Sequence, residues 1–434
     1  MMITSNHYSR RPVETNALRS RARGAEPQMM MPKHLLDGYR VLDFTQYLAG
    51  PTTTRFLAEM GAEVIKVEIA PVGDYGRFIP YVRDDRSAFF VQQNRGKKSL
   101  CVDLKSSDGL ALIKKIIPKA DVVVENFSPG VIARMGLGYD VVSAINPRIV
   151  MCSVSTLGQG GPLANRPGYD MIGAAYAGVL DMLGYRDRPP IIPQMSIGDI
   201  STGAHAAAAI GYALLHRERT GKGQYVETSL LDCYFSYHDS AVQLLSASHG
   251  AMRPYRNGSH HYLICPVGIF DGKPNPVLII AGADRQWPLL CEAMGLPGLA
   301  EDARFKGHMD RVDNADEVRR IVQEWLDSMP GDDEVYRVLE EHRVPYAPVL
   351  SVEQAMQTPH LREREIVRTV RDPFLGELEV PGFPLRFSDF PRHLDLEAPT
   401  LGEHNEEVLS GLLGLGPERI RELEAAGILH RGPR

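Results

Sequence analysis

The chain has 434 residues, long enough for two or more domains, and its 44% hydrophobic and 24% charged residues are the balance of an ordinary globular protein. A net charge of −6 with both signs interspersed carries no nucleic-acid footprint, and no apolar run reaches the roughly 18 residues a membrane-spanning helix needs. Cys101, Cys152, Cys233, Cys265 and Cys291 are scattered, with neither a disulfide framework nor a metal-ligand spacing, which suits a reducing cytoplasm.

Near the N-terminus, Arg10, Arg11, Arg19, Arg21 and Arg23 stand against only Glu14 and Glu26, with no apolar core of a secretory signal. Residues 1–35 read as a disordered tail; an Arg-rich transit peptide is the alternative. From residue 39 the pattern is strand then helix, repeated. "YRVLDF" reads as a buried strand and "PTTTRFLAEMG" as a helix with Pro51 in its first turn. "AEVIKVE", "KSLCVDL", "DVVVENF" and "PRIVMCSVS" follow as strands, separated by helices at "SSDGLALIKKII" and "PGVIARMG", which places Arg134 two turns into a helix. Strands alternating with helices imply a parallel sheet covered on both faces, with ligands at the strand C-termini. The loops there are residues 45–51, 125–130 and 155–162.

His205 to His216 form a plain helical stretch stopped by Gly221 and Gly223, and Asp199 lies at or just before its start. Read by itself, Asp199 is a helix N-cap. Residues 226–335 read as a smaller α+β domain, while 36–225 and 336–434 form a large Rossmann-like domain. "GQGGP" lacks both the P-loop lysine and the G-x-G-x-x-G spacing, which argues against a nucleotide fingerprint.

Taken in order, "VLDFTQYLAGP", "MGAEVIKVE", "NRGKKSLCVDLK", "DVVVENFSPGVIARMGLGYD", "LGQGGPLANRPGYDMIGAAYAG" and "SIGDISTGAHAAAAIGYALLHRERTGKGQYVETSLLD" resemble the class III CoA-transferases, the CaiB/BaiF family. The resemblance covers about residues 36–430 and is most specific from Gly158 to Asp232. It implies that Asp199 is the covalent nucleophile of a CoA transfer between an acyl-CoA and a carboxylic acid, and that the chains pair as interlocked homodimers. CoA thioester enters as substrate, with no permanently bound cofactor. An ordinary aspartate, pKa about 3.9, is ionised at neutral pH, and free amides at a helix start stabilise both carboxylate and oxyanion.

The resemblance further implies CoA contacts at Leu48, Ala49, Val102, Lys105, Asn126, Phe127, Arg134 and Met135. Tyr169 and Asp170 fall on the substrate side. Gly258, Ser259 and His260 lie in the segment 255–262 that corresponds to the family's glycine-rich lid. Ile69 and Leu48 replace an arginine and a glutamine of formyl-CoA transferases, which points away from a formyl/oxalate pair. The α-methylacyl-CoA racemase branch is the alternative activity. It carries a histidine where this chain has Tyr169, and a tyrosine near pKa 10 is a poor second base.

Overall fold

A computed structural model describes residues 32–79, 81–83 and 86–432. Most of the expected tail, residues 1–31, lies outside the described residues. Residues 32–35 were counted in that tail, yet His34 is buried, stacked on Phe390 at 4.9 Å and edge-on to Phe387 at 5.6 Å.

Six strands form one parallel sheet: β1 (Arg40–Asp43), β2 (Glu63–Ile69), β5 (Lys97–Val102), β6 (Val122–Glu125), β7 (Val150–Ser155) and β8 (Gln224–Ser229). A short ribbon, β3 (Val82–Arg83) with β4 (Arg86–Ser87), stands outside it. The sheet order is β5-β2-β1-β6-β7-β8. The chain therefore winds outward from β1 to β5, then returns to β6 on the far side of β1. This is the Rossmann order, and it opens a crevice between the C-terminal ends of β1 and β6.

The inner strands β6 and β7 read as apolar runs buried throughout because both faces of the sheet are covered there. Successive residues go to opposite faces. Val41, Val64, Val122 and Val150 pack with α1 (Ala49–Glu59) and with the long helix α7 (Ile197–Thr220). Leu42, Ile65, Val123 and Met151 pack against α3 (Ser107–Ile116) and the C-terminal helices Asn405–Leu413 and Pro417–Ala425. The remaining elements of this part are α2 (Ala88–Asn94), α4 (Val131–Arg134), α5 (Tyr139–Ile145), α6 (Asp170–Tyr176) and α8 (Leu230–Ser236).

Two helices differ from the reading of the sequence. The helix α4 is a single turn, and Arg134 is its last residue rather than lying two turns in. The helix α7 runs 24 residues and starts at Ile197, so Asp199 is the third residue inside it and not its cap. It stops where Gly221 adopts φ 74°, the left-handed conformation that glycine tolerates best.

A second sheet is antiparallel, ordered β11-β10-β9, from β9 (Val267–Phe270), β10 (Val277–Ile280) and β11 (Tyr346–Pro348). It covers its own core of Trp287, Leu290, Phe305, Trp325, Leu326 and Leu339. These pairings move both boundaries expected for the smaller domain. Residues 226–229 belong to β8 of the main sheet, whereas the helix Asp332–Glu341 and β11 belong with the second sheet. A hairpin of β12 (Val367–Asp372) and β13 (Gly376–Pro381) then packs Val370 and Val380 against Val91 of α2. Among the described residues no helix is long and apolar enough to cross a membrane.

Candidate active site

The first turn of α7 is held from outside. Ser196, at its N-cap, makes no side-chain cap bond. Instead the Asp199 N–H donates to Asp170 Oδ1 at 2.7 Å, and the Gly198 N–H donates to the Tyr234 hydroxyl at 2.9 Å. That hydroxyl donates in turn to Asp170 Oδ2 at 2.8 Å. Asp170 opens α6 and Tyr234 sits in α8, so three helix segments meet at the Gly198–Asp199 peptide. A side chain at position 198 would collide with the Tyr234 ring and come within 2.6 Å of Asp170 Oδ1. Only glycine fits immediately before Asp199.

This arrangement overturns two expectations about Asp199. Its carboxylate does not cap the helix; Asp170 supplies the acceptor from a neighbouring helix. The leading amides are also not free to stabilise an anion, because Asp170 and Tyr234 already occupy them. Burial first, and the Asp170 charge second, push the Asp199 carboxyl up to about 7. Near neutral pH the group is therefore divided between its acid and its anion, not ionised outright.

The β1–α1 loop packs one turn further along α7. Leu48 precedes α1 and Ala49 opens it, buried. Gly203 lies four residues after Asp199, and a Cβ there would sit 2.7 Å from both Ala49 O and Thr52 Cβ. The glycine thus lets the starts of α1 and α7 press together. Tyr169, 71% exposed, meets Tyr47 edge-on at 6.2 Å, and Tyr47 stacks on Tyr75 at 5.7 Å. Asp170 is 4% exposed with both carboxylate oxygens engaged, so it braces the site and does not open toward a ligand.

The residues expected to contact CoA lie along the C-terminal edge of the sheet. Asn126 spans the crevice: its Oδ1 accepts from the Gln46 N–H and its Nδ2 donates to the Gln46 carbonyl, both at 2.8 Å. Phe127 and Met135 are partly buried against the core beside it, and Arg134 is exposed. Lys105 is exposed beyond β5. Val102 is fully buried in the core, so its side chain faces away from any ligand. The crevice gathers Leu48, Ala49, Asn126 and Phe127; Val102 and Lys105 stand two strands from β1.

The segment 255–262 approaches from the other side. A cavity of about 390 Å³ lies between it and α7, lined by residues including Ile197, Tyr234, Tyr237, Tyr255, Gly258 and His260. Gly258 has φ 63°, donates its N–H to Gly184 O at 2.9 Å and packs on the Tyr185 ring. Ser259 and His261 are tied to β9 through Ile269 N–H to Ser259 O at 2.9 Å and His261 N–H to Val267 O at 2.8 Å. His260 lies edge-on to Phe270 at 5.0 Å, and burial, with Arg319 adding to it, holds its imidazole down to about 4, so it is neutral at physiological pH. Tyr234 and Tyr47 are the site residues the sequence reading missed. Tyr234 is 36 residues from Gly198 along the chain, and nothing local in "LLDCYFS" signals that it reaches back.

The strand order 3-2-1-4-5-6, with helices on both faces, is that of a doubly wound α/β protein. The sequence matches the profile of CoA-transferase family III over residues 36–405, and the chain belongs to that family of CoA-transferases, the CaiB/BaiF proteins. It is 33% identical to the human succinyl-CoA:glutarate CoA-transferase over 91% of this chain and 90% of that protein. It is 35% identical to a formyl-CoA:oxalate CoA-transferase of Streptomyces coelicolor, over 92% of this chain and all of that one. A crystal structure of a CaiB/BaiF family protein from Brucella suis superposes with TM-score 0.76 at 32% identity, covering 88% of this chain and 100% of that one.

Proposed function

We propose that this enzyme moves CoA from an acyl-CoA to a carboxylic acid, with Asp199 as the covalent nucleophile. An Asp199 oxygen attacks the thioester carbonyl, a C–O bond forms as the C–S bond breaks, and CoA thiolate leaves a mixed anhydride. The thiolate attacks the aspartyl carbonyl, releasing the donor acid and leaving an aspartyl-CoA thioester. The acceptor carboxylate attacks that carbonyl and expels the thiolate, which then takes the acceptor's acyl carbonyl and regenerates Asp199. Each step conserves the energy of the thioester, and one difficult exchange becomes several easier ones.

The observation that supports this reading is the position of Asp199: half-buried, in the first turn of α7, one turn before the Gly203 face that packs on the loop Asn126 fixes at the crevice. CoA lies along the sheet edge from Leu48 and Ala49 toward Asn126, Phe127, Met135 and the exposed Arg134. A dicarboxylic donor such as succinyl-CoA is the favoured substrate class, in line with relatives that use succinyl-CoA with glutarate or mesaconate. The racemase alternative is not retained, since the relatives named here transfer CoA.

The test pairs succinyl-CoA with a panel of mono- and dicarboxylic acids and follows new thioesters by mass. Asp199→Ala should abolish transfer while leaving the melting temperature within a few degrees of the parent. Incubation with acyl-CoA and no acceptor, followed by hydroxylamine, should mark Asp199 alone. An alanine variant that keeps more than a small fraction of turnover removes Asp199 from the mechanism.

A further inference from the structure

Below the β1–α1 loop lies a group of charged side chains that touches none of the reacting positions. Asp43 and Lys66 are 0% exposed, Asp74 1% and Lys97 3%. Lys66 Nζ pairs with Asp74 Oδ2 at 2.8 Å and Lys97 Nζ with Asp43 Oδ2 at 3.0 Å. Glu68 and Arg77 flank them, paired at 2.6 Å, so the signs balance. Taking ion pairs out of water is expensive, and apolar side chains of similar volume usually do as well for stability. Their presence calls for a reason other than stability.

The hydrogen bonds supply one. The Thr45 N–H donates to Asp43 Oδ1 at 2.8 Å, and the Thr45 carbonyl accepts from Lys66 Nζ at 2.7 Å. The Tyr47 N–H donates to Asp74 Oδ1 at 3.0 Å. Between them, Asn126 takes both backbone groups of Gln46. Five backbone polar groups in succession, belonging to no helix or strand, are thus all satisfied by side chains. Lys97 holds the far end, donating to Pro51 O at 3.2 Å, Thr54 Oγ1 at 2.7 Å and Asn94 Oδ1 at 2.9 Å. Within this grip Tyr47 is held at φ 65°, a conformation that non-glycine residues seldom adopt.

The loop touches the α7 site at two points. Ala49 O lies against the bare face of Gly203, one turn beyond Asp199. The Tyr47 ring meets Tyr169, which precedes the Asp170 that accepts from the Asp199 N–H. We infer that Asp43, Lys66, Asp74 and Lys97 are positioning residues for CoA transfer, holding residues 45–49 in the one conformation that seats the reacting thioester against Asp199. The role in transfer rests on the proposed function; the preorganised loop does not. A displacement of about 1 Å at such a loop is enough to lower turnover by about a hundredfold without removing any reacting group.

Two measurements test this on the full-length enzyme. In the first, Asp74→Ala removes the acceptor for the Tyr47 N–H, and Asp74→Asn keeps an acceptor oxygen. We expect kcat per folded protein to fall at least about tenfold in Asp74→Ala, with KM for succinyl-CoA within about threefold of the parent, and Asp74→Asn, which keeps the acceptor for Tyr47 but not the counter-ion of Lys66, to lose less than Asp74→Ala. Parental kcat in a folded Asp74→Ala enzyme overturns the inference. The second uses unmodified protein without substrate, so it holds if the variants fail to fold or if no CoA transfer is found. The Thr45, Gln46 and Tyr47 amides should exchange hydrogen at least about a hundredfold more slowly than unprotected amides. Free exchange at these three positions overturns it, whatever the fate of the activity.

Discussion

Asp199 and Asp170 meet across one peptide N–H, and burial together with that neighbouring charge decides how the Asp199 carboxyl behaves. Burial comes first, and the Asp170 charge, lying where the helix amides would otherwise have favoured an anion, adds to it, so Asp199 is held at about 7. If the anion of Asp199 is the attacking form, it is scarce below this pH and dominant above it. The rate constant kcat/KM should therefore rise with pH through about 7 and level off above it. Asp170→Asn keeps an acceptor for the Asp199 N–H but removes the charge, so the midpoint should move to lower pH. A pH–rate profile of the two enzymes decides the matter, and an unmoved midpoint would show that Asp170 acts on packing alone. Tyr234 completes the brace, because its hydroxyl both accepts from Gly198 and donates to Asp170.

At the scale of elements, α1 and α7 depend on the absence of a side chain at Gly203. Alanine there would gain up to about 1 kcal/mol of helix propensity. It would also set a Cβ 2.7 Å from the Ala49 carbonyl, a backbone group that cannot swing aside, and such overpacking costs about 1–3 kcal/mol. The clash wins. Gly203→Ala should lower the melting temperature, and turnover should drop further than stability because the two helix starts are forced apart. A melting curve with matched kinetics checks both.

The segment 255–262 is the element expected to close over the site. Gly258, at φ 63° against the Tyr185 ring, leaves no room for a branched residue, while Ser259 and His261 remain tied to β9. Gly258→Val should displace the segment and admit water to an acyl-enzyme, lowering transfer relative to hydrolysis of acyl-CoA. An unchanged ratio of the two products would mean that closure comes from elsewhere.

In the whole molecule, one chain leaves much apolar surface uncovered. Ile197, Ile200, Tyr212 and Leu215 on α7 are exposed, as are Ile191, Ile192 and Met195 just before it and Phe235 on α8. Patches of this kind mark interfaces. We expect an interlocked homodimer, in which a second chain covers this surface. Light scattering at micromolar concentration should return about twice the 48.1 kDa chain mass. A monomer under those conditions would leave these residues without a reason for being apolar.

The apolar runs, the turn glycines and the alternation of strands with helices were enough to mark the parallel sheet, because local pattern and burial on both faces impose the same choice on the same residues. The motif around Gly198 and Asp199 singled out, through its resemblance, the carboxyl proposed as nucleophile. The sequence alone left three matters open. It could not show that Asp199 stands inside α7 with its amide already taken, since the partners Asp170 and Tyr234 come from helices 29 and 36 residues away. It misplaced the smaller unit, because β8 and β11 are short strands whose sheet is chosen by distant edges, not by their own residues. And it gave no sign that Lys66 and Lys97, ordinary charges in a strand pattern, are buried beneath the β1–α1 loop. Pairing, burial and electrostatic coupling act across space, and only the folded chain brings those residues together.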